Sequence, residues 1–141
     1  MAPAQPTSTH PAQPQPFTPI VIQAEDPRND LRGGAQVVAC GQCDAGARVR
    51  YIGGPNQLVV RATMPVAGLR TVTVTYESDG RRSLLISVNN AAPRVCWVNG
   101  GGDWETPATF SFSTYLPAGP VELTFYQEGD PAPDVDSIAI R

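Results

Sequence analysis

Oxygen-bearing side chains spaced two residues apart stand near both ends of the chain. In VIQAE, Gln23 and Glu25 alternate with Ile22 and Ala24, and in DVDSIAI, Asp134 and Asp136 lead into Ile138 and Ile140. Side chains two apart in an extended segment point the same way, so Gln23 and Glu25 share a face and Asp136 falls in an apolar row. A lone ionised group is costly to bury, so Asp136 must be solvated, paired or bound to a metal. If the first and last strands are neighbours, Gln23, Glu25 and Asp136 converge. Oxygen ligands without sulfur or imidazole suit calcium. Alternatively, Glu25 and Asp136 are solvated strand-end charges, or meet an arginine such as Arg141.

Other chemistry has few agents. The single histidine, His10, lies in a Pro-rich stretch, so schemes built on a catalytic imidazole have no evident base. Two of the three cysteines form CGQC, but no second CxxC or histidine pair completes a zinc site. A disulfide between Cys40 and Cys43, with Cys96 buried and free, is the favoured arrangement. A bond from either to Cys96 is the competing one.

These groups need a scaffold, and its pattern has a period of two. TVTVTY alternates Val72, Val74 and Tyr76 with threonines; SLLISVN, TFSFS and VELTFY alternate in the same way. IVIQAE, AQVVA, ARVRYIG, NQLVVRATM, PRVCWVN and VDSIAIR supply further strands between turns such as GGP, SDG, NGGGD, LPAGP and GDPAP. In RVCWVN, Trp97 is expected to pack, given its flanking Cys96 and Val98. No stretch carries a helical stripe. The expected fold is all-β: a two-sheet antiparallel β-sandwich of jelly-roll type over residues 20–141, preceded by a Pro-rich linker over 1–19.

The chain of 141 residues is long enough for one domain. Ten basic residues, all arginine, stand against 13 acidic ones with no basic stripe, which argues against nucleic acid. No apolar run reaches the length of a membrane span, and no signal-peptide pattern precedes the sandwich.

Taken in order, IQAED, CGQCDAGARVRYIGG, LRTVTVTYESDGRRSLLISVNN, GGDWETPATFSFSTYLPAGPVELTF and APDVDSIAI resemble the successive segments of carbohydrate-binding module family 35, a relative of family 6. The resemblance runs from about residue 20 to the end. It implies a non-catalytic jelly-roll sandwich attached to an extracellular parent protein, with a structural calcium held by Gln23, Glu25 and Asp136 and by the loop at Asp44. It further implies a sugar site in the loops at one end, where Trp104 of GGDWE stacks on a pyranose ring with polar Asp103 beside it. Tyr51 completes the platform or is a buried strand tyrosine. Asp134 is a site-edge residue, holding a hydroxyl or a second calcium, or a turn residue. Arg48, Arg50 and Arg81 are candidates to grip a uronic carboxylate. Two departures stand out: Ala45 in CDAGA, where the family more often has glycine, and the glycine-rich VNGGGDWE.

The leading expectation is therefore a calcium-stabilised module that fixes its parent to a polysaccharide containing galactosyl, mannosyl or uronic-acid units. It would be monomeric and extracellular, without nucleic-acid or direct membrane contact. A sensory or structural ectodomain of a membrane-anchored receptor or kinase is the alternative. A glycoside hydrolase using Glu105 with Asp134 or Glu128 comes third, since so small a sandwich has little room for a deep cleft.

Overall fold

A computed structural model describes residues 17–141, in which eleven strands form two antiparallel sheets. Most of the linker expected over 1–19, with His10, lies outside the described residues. The strands are β1 (Ile20–Gln23), β2 (Asp30–Arg32), β3 (Gln36–Ala39), β4 (Ala47–Arg50), β5 (Gln57–Met64), β6 (Gly68–Glu77), β7 (Arg82–Val88), β8 (Arg94–Val98), β9 (Ala108–Leu116), β10 (Gly119–Tyr126) and β11 (Asp134–Ile140). One sheet runs β3-β4-β11-β6-β9 with β1 also on β11; the other runs β2-β5-β10-β7-β8. Only β2 was not read from the sequence, being three residues whose polar ends carry no alternation.

The threonine-valine alternation of β6 puts Val72, Val74 and Tyr76 inside and the threonines outside, as its pairing with β9 requires. Leu84, Ile86, Leu123 and Phe125 of the opposite sheet close the core, each almost wholly removed from water. Burial of this apolar surface is the main stabilising term of the fold.

The central strand for function is β11. One of its edges is shared by two strands laid end to end: β1 pairs along residues 137–140, and β4 pairs at Val135↔Val49. Its other edge takes β6, with a register shift between Val135 and Ser137. This irregularity corrects the simple alternation. Val135 and Ile138 are both core residues, so Asp136 is the extra residue of a bulge rather than a member of the row of Ile138 and Ile140. The bulge frees its side chain to turn into the gap between the ends of β1 and β4.

Candidate functional site

At that gap the end of β1, the start of β11 and the disulfide loop meet. Ala24 donates its N–H to the Asp136 carbonyl at 2.9 Å, and the Asp44 N–H reaches Asp136 Oδ2 at 3.1 Å. Gln23 Nε2 donates to Asp44 Oδ2 at 2.9 Å. Gln23, Glu25, Asp44 and Asp136 are thus drawn to one place. The other oxygens of three of them, Gln23 Oε1, Glu25 Oε1 and Asp136 Oδ1, are buried with no hydrogen-bond partner among the described residues. Burial, with the nearby Asp136 and Asp44 charges, pushes the Glu25 carboxyl above its ordinary range, and burial with Asp44 does the same to Asp136. Such oxygens are the arrangement a hard cation would satisfy.

The loop that brings Asp44 in is short and clasped. Cys40 and Cys43 are disulfide-bonded, which selects one of the pairings open from sequence, and Cys96 is free. Cys96 is half-buried rather than buried, because β8 is an edge strand that closes only one side of it. A single turn of 3-10 helix at Asp44–Gly46 follows the disulfide, with Ala45 at φ 57°. That left-handed conformation is one glycine adopts freely, which accounts for the unusual alanine as a mildly strained substitute.

Behind this loop, on the outer face of the same sheet, lies a buried ionic cluster. Tyr76 and Val135 face the core, so their neighbours Glu77 and Asp134, paired across the strands, face outward. Arg48 is 5% exposed; its Nε lies 3.1 Å from Asp134 Oδ2 and its Nη1 3.9 Å from Glu77 Oε1. The same Nη1 donates to the Trp104 carbonyl at 2.6 Å. Arg48 therefore holds up the Trp104 loop from below, and cannot be the surface contact expected of it. Burial, reinforced by Asp136 and Asp134 and opposed by Arg48, pushes Glu77 up to about 7. Burial also raises Asp134, against the pull of Arg48, Arg50 and Arg82.

Above the cluster is a cleft of about 220 Å³ that brings together Tyr51, Trp104 and Asp134, with Arg50, Arg82 and Pro131 between them. Tyr51 is 52% exposed and sits at φ 68°, a strained turn that swings its ring out of β4. The Arg50 guanidinium lies 4.8 Å from the Tyr51 ring and 6.0 Å from that of Trp104; Arg82 lies 4.6 Å from Trp104. Trp104 is half-buried, its loop pinned where the Gly100 N–H donates to Tyr76 Oη at 3.0 Å. A Cβ at Gly100 would fall 2.0 Å from the Ser78 carbonyl, so part of the glycine-rich run is required by close approach. Asp103 is turned into its own loop, accepting from the Glu105 N–H and Thr106 Oγ1, and is not a wall of the cleft.

Sequence reasoning missed Arg82 and Pro131. The signals were present as the Arg-Arg pair at the start of β7, of which only Arg81 was singled out as a carboxylate contact, and as the GDPAP turn, read only as local structure. Trp97 also corrects an expectation: it is 57% exposed, because Cys96 and Val98 on either side take the inward positions of β8. A larger cavity of about 680 Å³ beside β1 and β5 has no aromatic side chain on its walls and lies away from all of these residues.

No protein-family model matches the chain, and no curated protein matches it. Solved structures do. A family 35 carbohydrate binding module from Clostridium thermocellum superposes with a TM-score of 0.83 at 30% identity, over 86% of this chain and 97% of its own. A CBM35 from Paenibacillus barcinonensis gives a TM-score of 0.73 at 20% identity, over 86% and 98%. An exo-beta-1,3-galactanase from Phanerochaete chrysosporium, complexed with beta-1,3-galactotriose, gives 0.80 at 18% identity, over 89% of this chain but 29% of the enzyme. The likeness thus takes in whole binding modules and only a minor part of the enzyme.

Proposed function

Because the chain belongs to carbohydrate-binding module family 35 and is not a catalytic domain, we propose that it attaches an extracellular parent protein to a glycan through the Tyr51–Trp104 cleft, and that one calcium ion ties its terminal strands together. The observation that carries the binding reading is the cleft itself: two accessible aromatic rings, bridged by Arg50, stand over a floor containing Asp134. The apolar face of a pyranose packs on an indole or phenol ring while polar groups at the edge fix its hydroxyls.

Among galactosyl, mannosyl and uronic-acid ligands, the charges favour a uronate. Asp134 is the acidic residue on the cleft's walls, and Arg50 and Arg82 beside it, with Arg48 beneath, leave the cleft with excess positive charge. Arg82 spends one Nη on the Ala132 carbonyl at 3.1 Å, and the partly exposed Arg50 turns its Nε toward Asp134 Oδ2 at 3.8 Å, leaving its Nη groups for a ligand. Guanidinium donors of this kind suit a carboxylate.

The calcium reading is supported by the three partnerless oxygens of Gln23, Glu25 and Asp136, a donor set made only of oxygen. When bound there, calcium would supply positive charge to carboxylates that otherwise repel one another. The residues do the rest: Asp44 orders the Gln23 amide and, through its N–H, fixes the Asp136 carboxylate. A second ion at the sugar site is disfavoured, since Arg48 and Arg50 already stand against the Asp134 carboxylate.

The test is calorimetric titration with uronic, galactosyl, mannosyl and xylosyl oligosaccharides, with calcium and again with chelator. Binding to uronates is expected. Absence of binding to every sugar, with stability still falling on chelation, would overturn the cleft reading and leave the ectodomain alternative.

A further inference from the structure

We propose that the site continues past Trp104 into a groove of three adjoining subsites ending at Trp97, so that the module grips a run of at least three sugar residues rather than one terminal unit. This rests on the reading of the Tyr51–Trp104 cleft as the sugar site. The Asp130–Pro131 turn stands at the meeting point of three hollows. On one side of the central cleft, a hollow of about 260 Å³ is walled by Arg81, Arg82, Trp97 and Pro131, sharing Arg82 and Pro131 with the cleft. On the other, one of about 320 Å³ is walled by Tyr51, Gly53, Gly54 and Asn56, sharing Tyr51 and Pro131 with it. The three are similar in size and adjoin one another around Pro131.

The far hollow repeats the chemistry of the central one. Consecutive arginines each sit over a tryptophan: Arg82 over Trp104 at 4.6 Å and Arg81 over Trp97 at 4.6 Å. The fold does not need Trp97 there, since Val98 and Cys96 fill the inner side of β8 while the indole projects outward opposite Ser83. An exposed tryptophan adjoining a binding cleft is a ready surface for a second ring. A repeated aromatic-guanidinium unit matches the repeat of a polymer, and Asp130, between the hollows, offers a hydroxyl acceptor.

The experiment is calorimetric titration, with calcium present, of the wild type, Trp97→Ala and Trp104→Ala. The ligands are galacturonic acid and its α-1,4-linked oligomers of two to five residues, with β-1,3-galactosyl and β-1,4-mannosyl series of the same lengths in parallel. Wild-type affinity is expected to rise about tenfold from monosaccharide to trisaccharide, the scale of one added stacking contact. Trp97→Ala should leave monosaccharide binding within about twofold and remove most of that gain, while Trp104→Ala weakens binding about 30- to 100-fold at every length. Trp97→Tyr, which keeps a ring, should retain part of the gain and guards against an effect of altered folding. Affinity independent of length, or length dependence untouched in Trp97→Ala, overturns the extended groove and leaves the central cleft standing. No wild-type binding in any series overturns both.

Discussion

Asp134 and Asp136 stand two residues apart on β11, both buried, at 3% and 1% exposure. Arginine answers the charge of Asp134: Arg48 from beneath at 3.1 Å and Arg50 at 3.8 Å. Asp136 faces the carboxylates of Glu25 and Asp44 instead. Each aspartate has one oxygen without a hydrogen-bond partner among the described residues, and only that of Asp134 lies against guanidinium groups. The two ends of this short stretch use different solutions to one problem. A built-in guanidinium is permanent and rigid, and here it also holds the Trp104 loop by its carbonyl. On the proposed calcium reading, a seam of carboxylates is complete only when a cation arrives, which would tie its stability to the medium.

The comparison can be broken first at its permanent end. Arg48→Met leaves Asp134 buried without its main partner, and loss of one member of a buried pair costs about 3–5 kcal/mol. The expected outcome in chemical denaturation is a loss of that order, with the response to chelator unchanged. If chelation no longer mattered in this variant, the two ends would be one cooperative cluster.

Removing calcium comes next. At a free concentration about a thousandfold above Kd, bound calcium adds about 4 kcal/mol, so chelation should lower the thermal midpoint by about 10 °C or more. Asp136→Asn should abolish that difference; a chelator-sensitive Asp136→Asn protein would place the ion elsewhere.

Trp104→Ala should weaken glycan binding about 30- to 100-fold, on the order of 2–3 kcal/mol, by deleting the stacking surface. Calorimetry checks this, and the midpoint shift on chelation should be retained, which separates the sugar end from the ion end.

The smallest effect concerns Glu77, which lies between the two. Its folded carboxyl is raised to about 7 from an ordinary 4.5, so the folded state holds a proton the unfolded state releases. In chelated protein its contribution is favourable near pH 5 and is lost as pH rises through about 7, by roughly 2 kcal/mol. Denaturation midpoints across that range should show the slope, and Glu77→Gln should flatten it. A slope that survives in Glu77→Gln would have to come from Glu25, Asp134 or Asp136.

Most of the sandwich was legible because half-buried strands write their burial into alternation. Ten of the eleven strands were legible, four of them by clear alternation and the rest as short apolar runs between turns, and the one that was not, β2, is too short and polar to show a period. The same rule also explains two misreadings. At Trp97, apolar neighbours suggested packing, yet strict alternation sends the residue between two inward side chains outward. At Asp136, strict alternation itself failed, because a bulge adds a residue without changing its neighbours' types.

The sequence by itself determined the donor atoms and the rings: the side-chain oxygens of Gln23, Glu25 and Asp136, and the aromatic surfaces of Tyr51 and Trp104. It did so because residue type fixes what a side chain can coordinate or stack upon. Only the tertiary structure decided which charges meet. That Arg48 is sunk under Trp104, that Asp103 caps its own loop, and that Arg82 reaches the cleft depend on strand order and loop closure. Arg48 and Asp134 are separated by most of the chain, and the antiparallel pairing of β4 with β11 brings them within 3.1 Å. Long-range pairing of this kind leaves no local pattern in the sequence, because it is set by the packing of the whole sandwich rather than by neighbouring residues.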